Sequence, residues 1–208
     1  VRYSRNLERR LISYAGPSGT IPTVSMNALL QPDALSNPKV QALKVGNGLE
    51  AGTTMGPLAN PAGVRRQLIG VARPDFLHVY ADAIAQLGYD AAMLVAGDEP
   101  LDELSVSGPS TCLTVGKGAI RVTPEVLGLP RHAPEALRGG DAAFNAAALR
   151  RLLAGEAGAY RDAVLLNAAA ALMVAGHAPD LRSGMEEAAE ALDKGLAKAL
   201  LDCWIAYS

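Results

Sequence analysis

Two adjacent acids, Asp102 and Glu103, stand in the stretch PLDELS at residues 100–105, just after the apolar run AAMLVAG and just before VSGPS. Asp98 and Glu99 lie just upstream. Like charges at this spacing repel unless a cation or solvent offsets them, so the four acids predict a concentrated negative patch. Oxygen ligands of this kind suit Mg2+, which keeps several waters and usually takes one or two carboxylates together with substrate phosphates. Solvation of a short acidic loop at the surface accounts for the same spacing and is the commoner case. Both readings stand at the level of spacing.

Other stretches offer less. Gly139, Gly140 and the helix that follows in LRGGDAAFNAAAL could present backbone N–H groups to a phosphate. Asp141 there reads better as a plain N-cap, whose charge would oppose an anion. GPSGT at residues 16–20 lacks the Gly-Lys-Ser/Thr ending of a phosphate-binding P-loop. His78, His132 and His177 share no metal-ligand spacing, and surface or capping roles fit them better than catalysis. Ser105, Ser107 and Ser110 stand in no G-x-S-x-G context, so a hydrolase nucleophile is not supported.

The elements that must position the acids are read from periodicity. QLIGV at 67–71 and AAMLVAG at 91–97 are short apolar runs that predict buried strands, and RPDFLHVYADAIAQLG between them has amphipathic helical spacing. Pro74 suits the first turn of that helix and Gly88 its end. Strand, helix, strand over this length is a βαβ crossover, so the two strands are expected to be parallel. Asp102 and Glu103 then fall beyond the carboxyl end of the second strand, where open parallel sheets collect ligands.

TCLTV (111–115) and AIRVT (119–123) flank GKG as a hairpin. A Pro-rich connector follows. Three helices are expected after it: one over AAFNAAALRRLLAG capped by Asp141, one from about Arg161 to Gly176, and one over MEEAAEALDKGLAKALLDCWIAYS. The expected fold is α/β, a partly parallel sheet with a βαβ crossover plus C-terminal Ala-rich helices. Residues 1–54 form an atypical segment of loop-like composition, for which poor order is expected, and residues 55–208 form the α/β and helical domain.

Composition narrows the partners. The chain has 208 residues, enough for one good-sized core, and half of them are apolar while only 4% are aromatic. That favours closely packed helices built on Ala, Leu and Val. A formal charge of −2 with scattered Lys and Arg lacks the footprint of a nucleic-acid binder. The most apolar stretch, from Ala163, is too short for a membrane span and holds Asn167 and His177. Cys112 and Cys203 lie far apart, which indicates neither a disulfide framework nor a zinc site and fits a reducing cytoplasm.

Several long motifs, in this order and spacing, resemble anthranilate phosphoribosyltransferases: MGPLANPAGVRRQLIGV, LDELSVSGPS, LPRHAPEALRGGDAAFNAAALRRLLAGEAGAYRDAVLLNAAAALMVAG and the Ala-rich end of the chain. The resemblance runs from about Met55 onward. It implies the nucleoside phosphorylase/phosphoribosyltransferase α/β architecture and transfer of a phosphoribosyl group from phosphoribosyl pyrophosphate to anthranilate, with release of pyrophosphate, in tryptophan biosynthesis. By the same resemblance Asp102 and Glu103 hold Mg2+ against the diphosphate, Gly56 and Pro57 line the substrate tunnel, and the protein pairs as a homodimer in the cytoplasm. No counterpart of the family's G-T-G-G-D loop or K-H-G-N motif is found, Thr53 stands where members usually have Asn, and Pro100 where they usually have Gly. The 208 residues by themselves are therefore expected to show little or no transferase activity. A remodelled relative or fragment acting as a binding module, and an enzyme of the nucleoside phosphorylase type, are the alternatives. No catalytic side chain is assigned.

Overall fold

A computed structural model describes Leu58, residues 64–99 and residues 101–207. The chain divides between Val64 and Arg65, and the unit that begins at Arg65 carries all of the elements below. The expectations on residues 1–54 and on Gly56 and Pro57 lie outside the described residues.

A four-stranded sheet runs in the order β1 (Arg66–Gly70), β2 (Ala91–Gly97), β3 (Ser110–Thr114), β4 (Gly118–Val122). The first pair is parallel, with Gly70 opposite Val95, and the other two pairs are antiparallel. The crossover helix α1 (Leu77–Leu87) enters through a 3-10 turn at Pro74–Phe76, where the missing proline N–H costs nothing. It buries Leu77, Tyr80, Ala83 and Ile84 and ends at Gly88 in the left-handed region. The expected βαβ unit is thus present.

Strand β2 is buried along nearly its whole length, as a strand covered on both faces must be. Its residues Met93 and Val95 pack with Cys112 of β3, Val122 of β4 and the apolar face of α3 (Ala159–Ala175). Leu166, Ala169 and Ala170 are the α3 residues at the centre of this cluster. Burial pushes the Cys112 thiol up to about 11. Small side chains decide how close the helices come. At Gly184 of α4 (Leu181–Asp193) an added Cβ would lie 2.8 Å from the Ala169 Cα, so α3 and α4 touch nearly backbone to backbone.

Helix α2 (Ala142–Leu153) opens as expected, with the Asp141 carboxylate accepting from the Phe144 N–H at 2.8 Å. The last expected helix is corrected. The chain after Asp180 forms α4 and then a separate α5 (Leu196–Tyr207), because Gly195 takes φ 72° and breaks the helical path. The break reorients the final segment. Helix α5 buries none of its residues, and Leu196, Leu200 and Trp204, spaced by one turn, stay exposed.

Candidate active site

The carboxyl ends of the parallel strands β1 and β2 lie side by side, at Gly70 and Gly97. The connection from β2 to β3 crosses this edge. Gly97 N–H donates to the Leu101 carbonyl at 2.9 Å, and Asp98 N–H to the Pro109 carbonyl at 3.0 Å, which closes the base of the loop. Against Gly70 the fit is very tight: a Cβ there would sit 1.7 Å from the Asp102 carbonyl oxygen. Only glycine allows the acid-bearing segment to come down onto the end of β1.

Within the loop, Ser105 is the organising residue. It is 2% exposed. Its hydroxyl donates to the Glu99 carboxylate and accepts from the N–H groups of Ser107, at 2.9 Å, and Gly108, at 3.2 Å. Its own N–H donates to the Ser110 hydroxyl at 2.8 Å. From outside, Asn167 on α3 grips the main chain at Leu104: its Oδ1 accepts from Leu104 N–H at 2.9 Å, and its Nδ2 donates to the Leu104 carbonyl at 3.0 Å. A second hold comes through His132, whose N–H donates to the Val106 carbonyl at 2.9 Å while its Nε2 lies 2.6 Å from Oδ2 of Asp162, on the first turn of α3. Both side chains are about four-fifths buried, at 20% and 18% exposure.

The four acids are therefore not one patch, contrary to the expectation from spacing. Asp98 forms a two-point ion pair with the Arg121 guanidinium of β4, whose hydrogen bonds hold its carboxyl below the usual carboxylate range. Glu99 is engaged by Ser105. Of the four, Asp102 and Glu103 project from the loop as exposed carboxylates without such partners among the described residues. Among the described residues no three His, Cys, Asp or Glu side chains converge on one point. Two oxygen donors on a fixed loop, open to solvent, fit Mg2+, whose remaining positions are taken by waters and phosphate; they do not make the nitrogen and sulfur cage of a structural zinc.

The outcome for the other candidates is plain. His78 and His177 are exposed on or beside helices, and His177 lies 3.9 Å from Glu187. Asp141 caps its helix. Gly139 borders a cleft of about 410 Å³ with Phe144 and Tyr160, but none of the four loop acids lines it. Sequence reasoning missed the supporting residues Ser105, Asn167, His132 and Asp162. One of them did leave a trace: Asn167 is the lone amide in the apolar run AVLLNAAAALMVAG, and a buried polar group must find partners.

A parallel pair whose carboxyl ends lie side by side under a pinned loop is the edge at which open α/β sheets collect ligands. Residues 20–198 match the family described as "Glycosyl transferase family, a/b domain", and the chain belongs to that family. The match starts well upstream of Met55, where the resemblance in sequence motifs begins. Over 155 residues the chain is 61% identical to the anthranilate phosphoribosyltransferase of Novosphingobium aromaticivorans, covering 73% of this chain and 47% of that protein. The chain thus spans about half the length of such relatives. The crystal structure of anthranilate phosphoribosyltransferase from Thermus thermophilus superposes with a TM-score of 0.71 at 41% identity, covering 77% of this chain and 48% of that one. The Saccharomyces cerevisiae enzyme in complex with PRPP and Mg shares the fold, with a TM-score of 0.66 at 24% identity over 78% of this chain and 47% of its own.

Proposed function

We propose that this chain carries the metal-holding acids of an anthranilate phosphoribosyltransferase, with Asp102 and Glu103 as ligands of Mg2+. The observation that carries the reading is the fate of the four acids: two are engaged by partners that build the loop, and the two without such partners among the described residues stand next to each other, exposed, at the ligand edge of the sheet. In the reaction, the amine of anthranilate bonds to the ribose anomeric carbon of phosphoribosyl pyrophosphate, and the C–O bond to pyrophosphate breaks. The metal, when bound, offsets charge on the leaving diphosphate. The chain's own contribution is positional. Asp102 and Glu103 orient the diphosphate through their ligand, and Gly70, Ser105 and Asn167 keep those acids from drifting. Gly56 and Pro57 belong to the proposed substrate tunnel, a cytoplasmic homodimer to the proposed setting.

The test is calorimetric titration of the purified chain with phosphoribosyl pyrophosphate, with and without Mg2+, beside the Asp102→Ala, Glu103→Ala double variant. Binding that requires both metal and acids is expected. Binding that survives in the double variant, or none in any condition, would remove the assignment. A second reading, a binding module without turnover, rests on the lack of a G-T-G-G-D counterpart among these 208 residues. It makes the same binding prediction and differs only in the assay with anthranilate added: sustained product formation by these 208 residues selects the enzyme, and binding without product selects the module.

A further inference from the structure

We infer that Asn167 is a positioning residue for the acid pair and sets its metal affinity. The inference rests on the reading of Asp102 and Glu103 as metal ligands. Leu104 is the residue immediately after Glu103, and both polar groups of its main chain are bonded to one side-chain amide, at 2.9 and 3.0 Å. Leu104 itself is 1% exposed. The same Nδ2 also donates to the Ala163 carbonyl one turn back on α3, at 3.0 Å, which fixes the amide plane before it meets the loop. The clamp is therefore anchored in a rigid helix at the heart of the core and ends one residue from the carboxylates. Among the described residues nothing comparable holds Asp102 and Glu103 through their own side chains, so their placement relative to one another is inherited from their neighbours: the Gly70 contact on one side and the Asn167 clamp on the other.

The molecule contains its own control. Asn145 makes the same two bonds to Gly140, whose N–H donates to Asn145 Oδ1 at 2.9 Å and whose carbonyl accepts from Asn145 Nδ2 at 2.9 Å. That clamp braces the entry to α2 and touches no loop acid. Loss of an amide clamp as such is common to both; loss of acid-pair geometry is peculiar to Asn167.

The experiment is a titration of the full chain with Mn2+ as the probe ion, read by the resonance of free Mn2+, for wild type, Asp102→Asn/Glu103→Gln, Asn167→Ala and Asn145→Ala. Groups one step behind metal ligands typically change affinity about 10- to 100-fold when removed. A weakening of about that size is expected for Asn167→Ala, with Asn145→Ala binding as wild type does. So that the answer does not depend on Asn167→Ala folding, the wild-type chain is also followed by amide hydrogen exchange: added Mg2+ is expected to slow exchange at Leu104 and leave Gly140 unchanged. Wild-type affinity in Asn167→Ala, an equal loss in Asn145→Ala, or no metal effect on Leu104 exchange would overturn the role of Asn167 while leaving the acid pair in place. Absence of acid-dependent Mn2+ binding in wild type would instead overturn the metal reading, and the clamp's role with it.

Discussion

Two connections in the same sheet solve different problems by different means. The turn from β3 to β4, at residues 115–117, is held by main-chain bonds alone: Gly116 has φ 80°, Gly118 has φ 106°, Lys117 N–H donates to the Thr114 carbonyl at 3.0 Å, and Val115 N–H to the Ala92 carbonyl of β2 at 3.0 Å. An added Cβ at either glycine would meet nothing within 4 Å. The connection from β2 to β3, at residues 98–109, is held from outside by Gly70 in β1, Arg121 in β4, Asn167 in α3 and His132 in the Pro-rich connector. A turn that only reverses the chain needs conformational permission. A loop that must present two charges at a fixed place needs neighbours that take up its polar groups, so that the charges themselves stay available.

The contrast can be broken most forcefully at Gly70. Gly70→Val puts side-chain atoms where the Asp102 carbonyl stands, and a cost of about 3 kcal/mol, the upper end for overpacking, is expected in urea unfolding together with loss of Mn2+ binding. Ser105→Ala comes next. It strands the N–H groups of Ser107 and Gly108, and about 2 kcal/mol should be lost in the same measurement, with metal affinity falling as the loop loosens. Gly116→Ala sharpens the comparison from the other side: about 1 kcal/mol is expected from the left-handed backbone, with Mn2+ affinity untouched because the turn supports no acid.

The smallest effect concerns Asp98. Its carboxyl is held below the value of 3.8 chiefly by hydrogen bonds from Arg121, so the native state binds fewer protons there than the unfolded chain. The stabilisation is present above 3.8 and disappears as pH falls through the lower, folded value. Arg121→Ala should flatten the decline of the thermal midpoint on acidification below pH 3.8 and change it little at neutrality, since the pair is largely exposed.

Much of this architecture is legible in the sequence. The crossover, the hairpin at GKG and the Asp141 cap all follow from signals contained within a few residues: apolar periodicity, glycine at turn positions, and a short polar side chain before a helix. The helix break at Gly195 is hidden for a related reason. Flanking residues with good helical propensity mask a single glycine, and its left-handed φ becomes apparent only when α4 and α5 are seen as separate helices.

The sequence by itself determined the βαβ unit, the strand edge at which PLDELS falls, and the presence of two adjacent oxygen donors there, because each depends on neighbours in the chain. Tertiary structure alone decided which acids stay unpaired, among the described residues, and available. Asp98 meets Arg121 across the sheet, Glu99 meets Ser105 across the loop, and Leu104 meets Asn167 from a helix far along the chain. Those partners are chosen by packing, which brings polar groups together over distances that no local pattern encodes and leaves few buried ones unpaired.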